Sequence, residues 1–378
     1  MIEERALFEH AVRRFAPPVD SFERLLGRRD RKRQHKRLAA GALAFIVAIA
    51  GTALALRAFS SGPRTTGGPP PELPSNGDIA FVGRDLSETA TLYLVDPAGG
   101  VPRKVLDGGC AAGLGEPFNC DDLGIGSLDW APDGTRLAFA LWGNSPAGFG
   151  DHEGIYVLDI ATDEIRQLTS CSAPCSGQGD VDWSPDGSRI AFTQGAVDCN
   201  EGSCGIYSMK ADGIDPVRLS TGSIADAGNP SWSPDGRAIA FSGRVGDQWF
   251  VYTMALDGSE PMRLAPDLAA PRSSQPAWSP DGSRIAFLAD GGGTGEEGLP
   301  FELWTIAPDG SGRRFLLEGC CRIGGAGFPA QGPKWSPDGT RILLLGGSGA
   351  NLEVIDPETG DSTSGAMAFG PIAWQPVP

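Results

Sequence analysis

Residues 183–192 read WSPDGSRIAF, and the phrase returns with small changes as WAPDGTRLAF at 130–139, WSPDGRAIAF at 232–241, WSPDGSRIAF at 278–287 and WSPDGTRILL at 335–344. In VDWSPDGSRIAF the residues up to Trp183 are strand-like. Pro185 presets φ, Gly187 accepts a positive φ, and RIAF opens a second strand, so the phrase spells a β-hairpin. A third apolar stretch follows each copy: GIYVLDI at 154, GIYSMKADG at 205, FVYTMALDG at 250, ELWTIAPDG at 302 and NLEVIDPETG at 351. A short fourth stretch comes next, as in EIRQLT, PVRLS, PMRLA and GRRFLL. Four antiparallel strands per unit make one propeller blade.

The tryptophans Trp130, Trp183, Trp232, Trp278 and Trp335 are spaced by 53, 49, 46 and 57 residues, the size of a blade plus loop insertions. Five copies do not close a ring. The chain ends in IAWQPVP, which contains Trp374, and SNGDIAFVG begins at residue 75. End to end they form a sixth phrase cut inside its turn, with IAW as first strand and DIAF as second. The expected fold is all-β, a six-bladed propeller closed by a split blade that pairs the C-terminal strand with the N-terminal ones. Closure removes the unpaired edges that an open array would expose.

Composition agrees, with 54 Gly and 31 Pro in 378 residues, 40% hydrophobic and 21% charged. Charge and hydropathy divide the chain. Residues 1–37 carry 11 Lys and Arg against 6 acids, net +5, and the remainder carries 20 against 41, net −21. Between them, within a membrane segment bounded at 38–57, Leu38 to Leu56 form an uncharged apolar run, roughly 28 Å long as a helix and sufficient for one bilayer crossing. The preceding RRDRKRQHKR places the N-terminus in the cytoplasm by the positive-inside rule and lies against anionic headgroups of the inner leaflet. Residues 58–76, rich in Pro, Gly, Ser and Thr, read as a spacer, and residues 77–378 as the propeller outside the cytoplasm. So acidic an outer domain is not a nucleic-acid binder.

All eight cysteines follow the anchor. An even number on the oxidising side favours disulfides, with Cys110–Cys120, Cys171–Cys175 and Cys199–Cys204 as local pairs and the state of Cys320 and Cys321 left open. By strand direction they fall on the face opposite the WSPDG turns, with the longer insertions. The carboxylates Asp121, Asp122, Asp151, Glu153, Asp290, Glu296 and Glu297 share that face and have the donor chemistry for calcium, but acidic loops of this kind are ordinarily solvated, so no metal or cofactor is assigned.

The repeated WSPDGxxIAF phrase resembles the WD-like repeats of the TolB-type six-bladed propellers, found also in the propeller domains of prolyl oligopeptidases and dipeptidyl peptidases. The resemblance implies the fold and, through the TolB-type members, envelope partners; the apolar anchor departs from it. The phrase itself is read as scaffold. Trp130, Trp183, Trp232, Trp278, Trp335 and Trp374 are expected to pack between blades, and Asp133, Asp186, Asp235, Asp281 and Asp338 to hold the turns.

Catalytic motifs are thin: there is no G-x-S-x-G, no H-E-x-x-H and no phosphate-binding loop, and His152 is the one histidine after the anchor. The function expected is an anchored extracytoplasmic propeller that binds a protein or glycan of the envelope. A sensor signalling through residues 1–37, where Leu7, Ala11 and Phe15 share a helical face, and a lyase or hydrolase in the funnel are the alternatives.

Overall fold

The computed structural model describes residues 73–84, 90–97, 101–106, 123–143, 153–170, 177–195, 205–220, 224, 226–246, 248–259, 261–268, 273–290, 300–322, 332–345, 351–367 and 372–377. Among the described residues, twenty-four strands form six four-stranded antiparallel sheets. Blade 1 contains β1 (Ser75–Arg84), β2 (Ala90–Val95) and β3 (Arg103–Leu106). Blade 2 is β4 (Leu123–Trp130), β5 (Arg136–Gly143), β6 (Gly154–Asp159) and β7 (Ile165–Gln167). Blade 3 is β8 (Gln178–Trp183), β9 (Arg189–Gln194), β10 (Gly205–Lys210) and β11 (Val217–Arg218). Blade 4 is β12 (Ala227–Trp232), β13 (Ala238–Val245), β14 (Gln248–Ala255) and β15 (Met262–Arg263). Blade 5 is β16 (Ser273–Trp278), β17 (Ile285–Asp290), β18 (Pro300–Ile306) and β19 (Arg314–Arg322). Blade 6 is β20 (Lys334–Trp335), β21 (Ile342–Leu345), β22 (Asn351–Ile355) and β23 (Ser362–Met367), and β24 (Ile372–Val377) returns to blade 1 as its first strand.

The split blade is present, since β24 pairs antiparallel with β1, with Trp374 opposite Ile79 and Ser75 opposite Val377. The two ends are further tied by Trp374 Nε1 donating to Gly77 O at 3.1 Å, Asp78 N donating to Gln375 Oε1 at 3.0 Å and Gln375 Nε2 donating to Gly134 O at 2.7 Å. β1 takes in Ser75 and Asn76, two residues counted with the spacer above. The first strands β4, β8, β12, β16, β20 and β24 each touch the next, and β24 touches β4, so the ring is closed.

Six apolar clusters fill the six gaps between blades, each joining residues of two neighbours. Every repeated tryptophan lies in or against one of them. Trp183, 5% exposed, packs with Ala138 and Ile155 of blade 2 and Ile190 and Phe192 of blade 3. Within four blades the second and third strands carry a stacked aromatic pair in register: Phe81 with Tyr93, Phe139 with Tyr156, Phe192 with Tyr207 and Phe241 with Tyr252, at 5.5 to 5.8 Å. Such cross-strand contacts hold each sheet together, while burial of apolar area between sheets, at roughly 25 cal/mol per Å², holds the ring.

The turns also touch one another. A Cβ on Gly187, at φ +67°, would meet Pro132 of the preceding turn, and one on Gly236, Gly282 or Gly339 would meet Pro185, Pro234 or Pro280 in the same way. A Cβ on Gly134 would collide with Pro376 O, so at the closure this turn packs against the chain end instead.

The expected membrane-spanning run 38–57, the tail 1–37, the spacer to residue 72, His152 and Cys110, Cys120, Cys171, Cys175, Cys199 and Cys204 lie outside the described residues. One expectation is corrected. Cys320 and Cys321 are not loop residues; β19 continues past the GRRFLL stretch, and Cys321 stands opposite Phe301 of β18. The pairing of β18 and β19 extends through the segment because β18 itself begins as early as Pro300.

Candidate functional site: the polar channel layer

The five turn aspartates are held locally. In Asp186, Oδ1 accepts from Ser188 N at 3.0 Å and from Ser184 Oγ at 2.7 Å, closing an Asx turn, and Asp235, Asp281 and Asp338 repeat the arrangement, whereas Asp133, two residues after Ala131, accepts from Thr135 N and Thr135 Oγ1. The carboxyls of all five lie below the ordinary aspartate value. In Asp186 and Asp235 the hydroxyl of Ser184 or Ser233 leads the stabilisation of the charged form. In Asp133, Asp281 and Asp338 burial pushes upward and the turn hydrogen bonds outweigh it. Their acceptor capacity is spent on the scaffold.

The residue before each tryptophan differs from blade to blade, and here the ring changes character. Around the six first strands this position is Ala373, Asp129, Asp182, Ser231, Ala277 and Lys334. Asp129 Oδ2 accepts from Trp183 N at 2.7 Å, Asp182 Oδ2 from Trp232 N at 2.7 Å, and Ser231 Oγ from Trp278 N at 3.2 Å. Each side chain thus caps the backbone of the next blade. Lys334 Nζ of blade 6 reaches Asp129 Oδ1 of blade 2 at 3.7 Å, passing over blade 1, where Ala373 presents only a methyl group. The two side chains are 23% and 21% exposed, so the pair stands in the channel rather than in sealed core.

Burial pushes the Asp129 carboxyl up, and the Lys334 charge acts against it. The Asp182 carboxyl is driven well above the ordinary range, first by burial and then by the neighbouring Asp129 charge.

Two residues earlier in the first strands lies a second polar layer. Asp180, Asn229 and Gln275 have φ of +50°, +52° and +57°, each at a bulge where the pairing register with the second strand shifts. A left-handed conformation is uncommon outside glycine, and bulges of this kind re-aim side chains near functional sites. Asp180 Oδ2 accepts from Thr193 Oγ1 at 2.8 Å and from Asn229 N at 3.3 Å, Ser242 Oγ donates to Asn229 Oδ1 at 3.0 Å, and Gln275 N donates to Ser242 Oγ at 2.9 Å. This belt joins blades 3, 4 and 5.

The loop face is described only in part. Glu153 and Asp290, expected as solvated loop acids, are 4% and 8% exposed, because Glu153 leads into β6 and Asp290 ends the buried β17. Asp121, Asp122, Asp151, Glu296 and Glu297 lie outside the described residues. Among the described residues no three His, Cys, Asp or Glu side chains converge as a metal site. The channel residues Asp129, Asp182 and Lys334 were missed by sequence reasoning. Their signal was present as the variable position inside an otherwise constant phrase.

A closed ring of six four-stranded sheets matches solved propellers. TolB of Acinetobacter baumannii superposes with a TM-score of 0.60 at 21% identity, over 80% of this chain and 68% of that one. The fold is that of a TolB-like six-bladed β-propeller. A propeller in the nidogen/laminin complex matches with a TM-score of 0.53 at 10% identity, over 79% of this chain and 98% of that one. In sequence, the Tol-Pal system protein TolB of Alcanivorax borkumensis is 35% identical over 69 residues, 18% of this chain and 14% of that protein. No protein-family model matches the chain. The TolB-like likeness therefore rests on the ring.

Proposed function

We propose that the protein is an extracytoplasmic binding module of the cell envelope, carried on the membrane by residues 38–57 and presenting its propeller to a protein partner. One observation carries the reading: a rigid closed scaffold of TolB-like form encloses a polar channel whose lining departs from the repeat. The named relatives include a Tol-Pal system protein, which fits an envelope setting. The acidic outer composition and the basic juxtamembrane run accord with the orientation, N-terminus in the cytoplasm. Crosslinking of the propeller in intact cells, followed by identification of its neighbours, tests it. A reproducible envelope protein that disappears when channel or loop residues are altered supports the reading, and recovery of cytoplasmic proteins alone overturns it.

A lyase or hydrolase in the funnel is the second reading. It is favoured by the Asp182 carboxyl, held well above its usual value beside the Lys334-paired Asp129, an arrangement suited to proton transfer. Turnover of an envelope polysaccharide by the purified protein, abolished in Asp182→Asn, is its test; absence of turnover across a polysaccharide panel removes it.

A further inference from the structure

The fourth strands of blades 3 and 4 run through closely similar sequence, Arg218-Leu219-Ser220 and Arg263-Leu264-Ala265, with each arginine opposite a tyrosine of the third strand, Tyr207 or Tyr252. Their guanidinium groups are housed differently. Arg218 Nε donates to Ser220 O at 3.0 Å and lies over Gly205, where a Cβ would come within 2.8 Å of that nitrogen. Blade 4 carries Phe250 in the place of Gly205, and the Arg263 guanidinium carbon stands 3.4 Å from the centre of its ring. In blade 4, stacking takes the place of the hydrogen bond.

The carbonyl that serves Arg218 has no counterpart for Arg263. Ala265 has φ of +48°, a left-handed conformation that a Cβ disfavours, and its oxygen accepts from Leu268 N at 3.1 Å. In blades 2 and 3 a hydroxyl at this position, Thr169 Oγ1 or Ser220 Oγ, caps Ile155 N or Ile206 N at 3.0 Å. In blade 4 the equivalent Val251 N donates instead to Ser273 Oγ of blade 5 at 3.3 Å. Nε of Arg263 is therefore shielded from solvent and has no acceptor. Among the described residues no carboxylate forms an ion pair with Arg263, and Asp267, four residues on, is held by Arg313 at 2.7 Å. A shielded donor without an acceptor is costly, and its presence beside an outlying backbone conformation points to use rather than to packing.

We propose that Arg263, stacked on Phe250 and carried by the outer strand of blade 4, is a receptor for a carboxylate of the protein partner, an Asp or Glu side chain or a chain terminus. This rests on the binding reading above and names one group that the partner must offer. When the guanidinium turns to a ligand, Nε gives up no hydrogen bond. Its planar, weakly hydrated fork then meets a carboxylate with two parallel charge-assisted bonds. Met262 beside it is 41% exposed and supplies an adaptable apolar rim. Arg218, already bonded to its own backbone one blade away, is an internal control.

The experiment uses the full chain in detergent with isotope-labelled arginine and follows the Nε–Hε signals of Arg263 and Arg218 by NMR at constant ionic strength. The probes are N-acetyl-glutamate amide, N-acetyl-glutamine amide, methyl glucuronoside, inorganic phosphate and sodium chloride. A saturable shift of the Arg263 signal with the glutamate amide, none with the glutamine amide, and an Arg218 signal that stays in place are the expected result. In ligand-observed titrations Arg263→Lys, which keeps the charge and loses the fork, is expected to weaken binding about tenfold, and Arg218→Lys to leave it unchanged. Near-UV dichroism checks that each variant is folded; if Arg263→Lys is not, the contrast between the two arginine signals of the parent protein decides. The proposal is overturned by an Arg263 signal that the glutamate amide does not move, by an equal shift with the glutamine amide, or by Arg218 moving alike. Tighter binding of the glucuronoside or of phosphate overturns it in favour of another anion, and an equal effect of chloride reduces the site to an adventitious ion only. If the glutamate amide fails while crosslinking in cells still finds an envelope protein, in Arg263→Gln as in the parent, this inference falls and the proposed function stands.

Discussion

The turn end and the channel of this propeller are built from residues a few positions apart, yet they follow opposite rules. At the turn, Ser-Pro-Asp-Gly recurs almost unchanged, and its aspartates spend their oxygens on their own backbone. At the position before the tryptophan, the same six strands carry two Asp, one Ser, two Ala and one Lys. A ring needs the same corner six times, whereas an asymmetric ligand needs different groups at different angles around one axis. Repetition therefore marks architecture here, and its interruption marks the place to look for recognition.

The comparison can be broken first at the clasp. Deleting residues 372–378 removes β24 and leaves one edge of β1 unpaired, with the blade 6 and blade 1 cluster around Trp374 opened. The expected outcome is loss of cooperative unfolding and a sharp fall in soluble yield, because a domain's whole stability is about 5–15 kcal/mol. Limited proteolysis that finds the truncated ring as resistant as the parent contradicts it.

Substituting a repeated tryptophan comes next. Trp183→Ala empties the contact between blades 2 and 3 and is expected to cost about 3–5 kcal/mol in denaturant unfolding. Ser231→Ala, in the variable layer, removes one hydrogen bond to Trp278 N and is expected to cost about 1 kcal/mol. Equal losses would erase the distinction between the two regions.

The channel and the turns should also answer pH in opposite senses. Asp182 has a folded value raised above the ordinary 3.8, so the folded state binds its proton more tightly than the unfolded one, and wild-type stability declines as pH rises from about 4 through the folded value. Asp182→Asn removes that decline, and melting temperatures of variant and wild type should diverge in favour of the variant as the solution is made more alkaline. Asp186 is lowered, so its contribution is present above 3.8 and vanishes as pH falls through the folded value. Asp186→Ala should lower stability by about 1 kcal/mol at neutral pH and by less in strong acid, the smallest of these effects. Parallel pH profiles for the two variants would show that one electrostatic logic governs both regions.

The ring was legible in the sequence because each blade states its boundaries locally. A tryptophan closes the first strand, Pro and Gly make the corner, and IAF begins the second, so six sheets and the split blade could be assembled from spacing alone. The pairing of Trp374 with Ile79 follows from completing that phrase across the two chain ends. The channel was not legible by the same route. Lys334 and Asp129 are 205 positions apart, and their meeting depends on blade 1 contributing only an alanine between them. At the bulges the left-handed residues are Asp180, Asn229 and Gln275 rather than glycines, so the residue type at the position itself does not announce the positive φ. Attention to the loop acids was drawn by their charge, but Glu153 and Asp290 are packed into the strands they flank.

The register that sets Ser75 beside Val377 has a consequence for the topology of the polypeptide itself. Antiparallel partners stand about 5 Å apart, so a short peptide could splice tail to head and new termini be cut into any other Asp-Gly corner. Such a circular permutant would keep every lining group where it is and would move only the place on the ring at which the chain begins and ends.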